Sequence, residues 1–367
     1  MYQASIREQQ IDGNKHKNEG CEETREQFKN HTCGRCKNRR PRKERKREFT
    51  YAELYAATDG FSMKNFLSGG GCGKVYKGQL HGIKIAVKKH KNIESNKQGD
   101  KEFRSEVDAL SRVRHENVVV MLGSCSEGNH RLLVYEFVCN GSLNQHLHQH
   151  CRRPLSWENR IKVAIGAARG LLYLHDNNII HRDMTPNNIL LTHDFETLLG
   201  DFGLAITRKE EKETSSEEEC VGGDEDYAAP EYVEDGKLST KTDVYSFGVV
   251  LLQLITGMRT TDKRRLGERS LVEWARPLLR ERKCGSVIDK RMREDHDCHQ
   301  LYWMSRLAQS CLSKNPHKRL TMAQVVEALS HIAEGCKCND KQKCGSSYHT
   351  GPSSLLISAS SVTQTQG

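Results

Sequence analysis

The sequence predicts an α+β chain of two lobes, a small antiparallel β-sheet lobe with one helix and a larger helical lobe. Three observations carry that prediction. Strand-like runs surround a glycine-rich turn, Ser68-Gly69-Gly70-Gly71-Cys72-Gly73, followed by Val75-Tyr76-Lys77-Gly78 and by Ile85-Ala86-Val87-Lys88. Much later, Val244 to Ile255 is apolar on nearly every face, as a helix buried at the centre of a large lobe must be. Between them, Ile179-Ile180, Ile189-Leu190-Leu191 and Leu198-Leu199 read as short buried strands that set two polar loops side by side at one cleft.

Those two loops carry the chemistry. Asp183 lies five residues before Asn188, and Asp201 opens Asp-Phe-Gly. Phosphoryl transfer needs one carboxylate to orient the attacking hydroxyl, and an Asn with a second carboxylate to hold Mg²⁺. In this order and spacing the residues resemble the two catalytic loops of a protein kinase. The glycine-rich turn fits the same chemistry, because backbone that must approach phosphates closely excludes Cβ atoms. Lys88 ends its strand where a cation would grip the ATP α/β-phosphates.

The elements follow in order. Residues 1–48 are polar and weakly periodic, and are expected to be a basic, disordered leader. Order is predicted from near Phe49, with Thr50 capping a short helix through Ala57 and Thr58-Asp59-Gly60-Phe61 turning into the first strand. The small lobe occupies about 61–138. Within it, Lys101 to Val113 is an amphipathic helix whose Phe103, Val107, Leu110 and Val113 share one face with Glu106. A glutamate in an apolar stripe is costly unless a cation meets it. Either it borders the stripe and stays solvated, or Lys88 is its partner. Asn140-Gly141-Ser142-Leu143 opens the large lobe, about 141–334, with Ser142 as a cap. Ile161, Ile165, Ala168 and Leu172 form a stripe leading to His175, and Leu307 to Leu312 and Val325 to Ile332 supply later helices. Residues 335–367 shift to Lys, Cys, Gly, Ser and Thr and read as a disordered tail.

Charge is unevenly placed. Of a net +9, residues 1–48 carry 14 Lys+Arg against 8 Asp+Glu, so the remainder is nearly neutral. The run Arg35 to Arg47 is a solvated arm, a nuclear-import signal, or a patch for anionic lipid or nucleic acid. No run approaches the ~18 apolar residues of a transmembrane helix, none near Met1 resembles a secretion signal, and Tyr2 is read as excluding N-myristoylation. Fourteen cysteines without a framework favour reduced thiols in a cytoplasmic protein, with membrane association or nuclear entry left open by the leader. Cys33-Gly34-Arg35-Cys36 has zinc-knuckle spacing. A structural site needs four ligands, and Cys21 and His31 are unsuitably spaced, so this reading sets zinc aside.

Several phrases narrow the resemblance. Phe49-Thr50-Tyr51-Ala52-Glu53-Leu54 with Ala57-Thr58-Asp59-Gly60-Phe61, Leu132-Leu133-Val134-Tyr135-Glu136-Phe137, and Asp243-Val244-Tyr245-Ser246-Phe247-Gly248 resemble plant receptor-like kinases. Asn187-Asn188-Ile189-Leu190-Leu191-Thr192-His193-Asp194-Phe195 and Trp274-Ala275-Arg276-Pro277-Leu278-Leu279 resemble receptor-like cytoplasmic Ser/Thr kinases close to the proline-rich, extensin-like receptor kinases, a group with some members labelled inactive. The resemblance covers about 49–334. It implies ATP with Mg²⁺, Ser/Thr specificity, a protein substrate and an upstream receptor kinase. It further implies a Lys88–Glu106 ion pair, Asp183 as catalytic base, and Asn188 and Asp201 as metal ligands. Tyr135 would be the gatekeeper, and Glu136 to Val138 would offer backbone groups to adenine between Leu67, Val75, Ala86 and Leu190. Gly70 and Gly73 would line the phosphates. Asp243 would brace the catalytic loop, and Glu231 would pair with Arg319.

The departures fall near the γ-phosphate and the peptide platform. Relatives place a basic residue two after the catalytic Asp, where this chain has Thr185. Tyrosine kinases place Arg four after it, where this chain has Asn187. A missing cation there costs on the order of 10²–10³ in rate if losses of oxyanion donors are a guide. Relatives end the following segment with Gly-Thr-x-Gly-Tyr, whereas this chain reads Gly223-Asp224-Glu225-Asp226-Tyr227. Glu217-Glu218-Glu219 either stand in for a phosphate facing Arg182 or form a solvated acidic loop. A phosphotransferase is the leading reading. The alternatives are an ATP-binding pseudokinase acting as scaffold or allosteric partner, and a nucleic-acid-binding protein resting on the leader alone.

Overall fold

The computed structural model describes residues 33–38, 46–70, 73–91, 97–147, 154–207, 223–292 and 295–335. Six strands form one sheet: β1 (Arg47–Glu48), β2 (Phe66–Gly69), β3 (Gly73–Leu80), β4 (Ile83–His90), β5 (Met121–Glu127) and β6 (His130–Glu136), in the order β1-β5-β6-β4-β3-β2. Hairpin-like connections make β2–β3, β3–β4 and β5–β6 antiparallel, and β4–β6 is antiparallel as well. The edge strand β1 departs from the antiparallel expectation, pairing parallel with Gly123 and Ser124 of β5. No tight turn joins β1 to β5, so their directions are not forced to oppose.

Because side chains alternate along a strand, the sheet divides its apolar residues between two faces. Ile85, Val87, Leu132 and Val134 meet Phe49 and Leu54 on the outer face. Leu54 belongs to α1 (Tyr51–Ala57), which begins where the sequence predicts. Thr50 is its N-cap in a capping box: Glu53 N–H donates to Thr50 Oγ1 at 3.2 Å and Thr50 N–H to the Glu53 carboxylate at 2.9 Å. Such a cap contributes about 1 kcal/mol. Leu133 and Tyr135 face the inner side, where Phe103 and Leu110 of α2 (Lys97–Arg112) pack.

The helical lobe is built around α4 (Trp157–Asp176) and α6 (Thr240–Thr256), with α3 (Leu143–Leu147) at its entrance. The stripe predicted on α4 is shifted: Ile165 and Leu172 are only half-buried, whereas Val163, Ala164, Ala167, Leu171 and Leu174 are buried with Ile161 and Ala168. The cause is its position, packed by α6, by α11 (Met322–Glu334) and by the strand β9 (Thr197–Leu199). α6 is buried from Thr242 through Thr256. Its polar members are satisfied, as burial demands: Ser246 Oγ donates to the Tyr227 carbonyl at 2.8 Å, and Gln253 Oε1 accepts from Tyr227 Oη at 2.8 Å. Arg319, without side-chain exposure, pairs through both terminal nitrogens with Glu231 at 2.5 and 2.6 Å. The leader residues 33–38 and 46–48 fall within the described set; the rest of the leader and residues 336–367 lie outside it.

Gly123 shows why the leader strand can dock. A Cβ there would lie 1.9 Å from the Arg47 carbonyl oxygen and 2.7 Å from the Phe49 ring. Gly123→Ala should therefore cost about 1–3 kcal/mol, the usual penalty of overpacking, read as a lowered urea midpoint with unchanged slope. An unaltered midpoint would mean that β1 and Phe49 are not held against β5.

Candidate active site

Lys88 lies on β4 opposite Val75 of β3 and Leu133 of β6, so its side chain leaves the inner face of the sheet. Glu106 comes from the apolar face of α2 and is completely buried. The Lys88 ammonium is 2.8 Å from Glu106 Oε2 and 2.7 Å from Asp201 Oδ1. Glu106 Oε1 accepts from Phe202 N–H at 3.2 Å and from the hydroxyl of Tyr135. Burial by itself would lower the Lys88 pKa, but the two carboxylates outweigh it and raise it, so Lys88 is a permanent cation. Burial would raise Asp201, yet Lys88 holds it below the usual carboxylate range. The solvated reading of Glu106 is thereby removed.

The second loop is braced from below. Asp243 on α6 accepts from His181 N–H at 2.8 Å, Arg182 N–H at 2.9 Å and His175 Nε2 at 2.9 Å. Those bonds hold Arg182 at φ 67°, with Asp201 at φ 58° in the facing loop. Left-handed backbone at non-glycine residues costs of order 1–3 kcal/mol each and persists where surrounding structure over-determines it. The strands β7 (Ile179–Ile180) and β8 (Ile189–Leu191) end the loop as predicted, and β8 pairs with β9. Asn188 N–H₂ donates to Asp183 Oδ2 at 2.7 Å and to the Asp183 carbonyl at 2.8 Å. Since its nitrogen faces Asp183, the Asn188 amide oxygen is the atom left to take a cation. Burial, opposed by His181, raises the Asp183 carboxyl, and Asp201 and Asp224 raise it further.

The residues predicted for the nucleotide lie on the strands and connection around these groups. Leu67 is exposed and Val75, Ala86 and Leu190 are half-buried, while their strand neighbours Tyr76, Val87, Ile189 and Leu191 are buried. Glu136 ends β6 and is fastened twice to the chain before β5: its N–H donates to the Val120 carbonyl and its carboxylate accepts from Val120 N–H, both at 3.0 Å. Val138 packs at the edge of the main core. A Cβ on Gly73 would sit 2.3 Å from the Lys89 carbonyl, whereas one on Gly70 would meet no protein atom within 4 Å. Gly73 is thus required by the sheet, whereas no close protein contact requires Gly70.

A family profile described as protein tyrosine and serine/threonine kinase matches residues 61–329. The chain belongs to the protein kinase family. Among curated proteins, the proline-rich receptor-like protein kinase PERK8 of Arabidopsis thaliana is 44% identical over 308 residues, covering 82% of this chain and 45% of its own length. PERK13 of the same plant is 42% identical over 313 residues, covering 83% and 44%. A putative receptor-like protein kinase, also from Arabidopsis thaliana, is 43% identical over 298 residues, covering 78% and 66%. The chain spans just under half the length of the two proline-rich relatives.

Against that family the departures acquire geometry. Thr185 is buried, its N–H donates to the Asp183 carbonyl at 3.0 Å, and its own carbonyl accepts from Asn188 N–H at 3.0 Å. Asp224, where the family pattern leads one to expect Thr, caps the 3₁₀ turn Glu225–Tyr227 by accepting from Asp226 N–H at 3.1 Å. The acidic segment Glu217-Glu218-Glu219 lies outside the described residues. Arg182, its suggested target, donates to Tyr232 Oη at 2.7 Å. Sequence reasoning missed His90, which is buried with Nε2 4.0 Å from Glu106 Oε2. Its place two residues after Lys88 on the same strand was the available signal.

Two outcomes follow from this kinase's buried charges. Removing one partner of a buried ion pair costs about 3–5 kcal/mol because the other is stranded. Lys88→Met and Glu106→Ala should each destabilise on that scale, and the double variant by much less than the sum. Additive losses in denaturant titrations would show two independent residues. His90 is held down at about 3 by burial and then by the Lys88 cation, against an ordinary 6.5. As pH falls from 6.5 the unfolded chain takes a proton that the fold refuses, so His90 makes stability fall with pH across that window. Between about pH 6.5 and 5, His90→Gln should remove up to about 2 kcal/mol of that fall. Equal pH slopes for both proteins would mean a solvated His90.

Proposed function

We propose that this protein is a Ser/Thr protein kinase that transfers the γ-phosphoryl group of ATP to hydroxyls of protein substrates. The observation carrying the reading is the convergence of Lys88, Glu106 and Asp201 with Asp183 and Asn188 at one cleft. The donor set suits Mg²⁺, which prefers hard oxygen ligands: the Asp201 carboxylate, whose side chain is 36% exposed to the cleft, and the Asn188 amide oxygen. When bound there, Mg²⁺ would neutralise charge on the ATP phosphates. Lys88, aligned by Glu106, holds the α/β-phosphates. Leu67, Val75, Ala86 and Leu190 sandwich the adenine, Tyr135 sits behind it, and Glu136 and Val138 offer it backbone groups. Gly70 and Gly73 let the turn approach the phosphates. Asp183 orients the substrate hydroxyl and takes its proton, and its raised pKa keeps it basic enough for that task.

The receptor-like names of the relatives support a place in plant receptor-linked signalling, with a receptor kinase upstream and a cytoplasmic location. Among the described residues no helix is long and apolar enough to cross a membrane. The basic leader is the part that would meet an anionic membrane or nucleic acid.

The full chain should incorporate phosphate into a basic protein substrate with Mg·ATP, and Asp201→Asn should abolish this. At 100 times its Kd, Mg·ATP should stabilise the wild type by ~2.7 kcal/mol. If the absent cation limits chemistry, Thr185→Lys should raise kcat several-fold with little change in nucleotide affinity, since help given only in the transition state appears in kcat. The gain should grow when Asp224→Thr is added. Binding of Mg·ATP without turnover in any of these proteins would instead establish an ATP-binding scaffold, and absence of binding would remove both readings.

A further inference from the structure

Cys33 and Cys36 lack two metal ligands only when partners are sought nearby in sequence. In the fold, one ligand atom from each of Cys33, Cys36, Cys139 and His193 lies within 4.8 Å of the other three. Cys139 follows the interlobe connection Phe137-Val138, and His193 lies in the turn after β8. Cys33 Sγ is 3.3 Å from His193 Nδ1. Bond lengths of about 2.3 Å to sulfur and 2.0–2.1 Å to nitrogen give tetrahedral edges of about 3.6–3.8 Å. The cluster therefore needs adjustments of no more than about an ångström to hold an ion.

The cysteine turn has the shape such a site requires. Lys37 N–H donates to the Cys33 carbonyl at 2.9 Å and Cys33 N–H to the Asn38 carbonyl at 2.8 Å. Lys37 takes φ 54°, which curls the chain back after the second cysteine. Asn38 Nδ2 donates to the Phe137 carbonyl at 2.7 Å, so the turn is seated on the interlobe connection without help from any ion.

We propose that Cys33, Cys36, Cys139 and His193 form a structural zinc site that staples the leader to the connection between the lobes. Three thiolates and one imidazole complete four-coordination and leave no open position, which marks a structural rather than catalytic centre. The sulfur-rich tetrahedral set selects zinc over the hard cation suited to Asp201 and Asn188. On binding, the three thiols release their protons and the site carries one net negative charge.

The test uses the full chain, purified without chelator and without a histidine tag, with metal measured by elemental analysis. One zinc per chain is expected, and Cys36→Ser, Cys139→Ser and His193→Gln should each lose it on dialysis. Co²⁺ in place of zinc should give the intense visible absorption of a tetrahedral thiolate site in the wild type and not in the variants. His193→Gln retains both knuckle cysteines, and each variant's fold is checked by Mg·ATP-induced thermal shift, so loss of metal is separable from unfolding. Folded wild-type protein without zinc, with or without two thiols missing to a Cys33–Cys36 disulfide, overturns the proposal. So does zinc retained by both Cys139→Ser and His193→Gln.

Discussion

A lysine ammonium with almost no access to water sets the terms for the whole cleft. An unpaired buried cation is prohibitive, so Lys88 forces two carboxylates to meet it from elements far apart in sequence. Glu106 can do so only if α2 lies against the inner face of the sheet, and Asp201 only if the turn after β9 reaches up to it. Glu106 in turn collects Tyr135 from β6 and the Phe202 amide. The sheet, α2 and the loop of the helical lobe are therefore positioned by a single charge balance. Hydrophobic packing along Phe103, Leu110 and Leu133 is non-directional, whereas the ion pair requires Glu106 to lie within reach of Lys88.

The helical lobe answers with a second buried charge. Asp243 on α6 accepts from two backbone donors of the catalytic loop, His181 and Arg182, and from His175 of α4, and this fixes the loop in a conformation that non-glycine residues otherwise avoid. Against this frame the unusual residues are local. Thr185 sits in the same turn with its backbone bonds intact, so the loss is of charge rather than of fold. Asp224 turns its carboxylate to a cap, a role open to Thr as well, yet its charge still raises the Asp183 carboxyl. The segment thus sets negative charge near Asp183 while its own turn stays capped.

What was legible in the sequence depended on range. The Thr50 cap, the α6 core helix and the strands around Asp183 rest on local periodicity and capping, and the structure places them within a few residues of expectation. Asp183, Asn188 and Asp201 were picked out by their spacing in two loops, Lys88 as the end of a strand and Glu106 as a carboxylate in an apolar helix stripe; the fold pairs Lys88 with Glu106 and Asp201, and Asn188 with Asp183. The parallel pairing of β1 was not legible, since it rests on a glycine in β5 that no local pattern distinguishes. The burial of α4 on a second side was likewise hidden, because small residues such as Ala164 and Ala167 carry little amphipathic signal. Cys139 and His193 were invisible for the plainest reason: they lie more than a hundred residues from Cys33, and only the fold makes them neighbours.

These long-range ties converge on the connection between the lobes. Just before it, Tyr135 is held through its hydroxyl to Glu106, and Glu136 is bonded to Val120 through both backbone and side chain. Within it, Phe137 receives the Asn38 amide, and Cys139 joins the thiol cluster. A connection fastened at successive residues cannot move independently of what fastens it. Any closing of the lobes about Glu136 to Val138 must carry residues 33–38 with it or break the Asn38 bond. Residues 33–38 are for this reason mechanically tied to the connection that borders the cleft of Lys88 and Asp201.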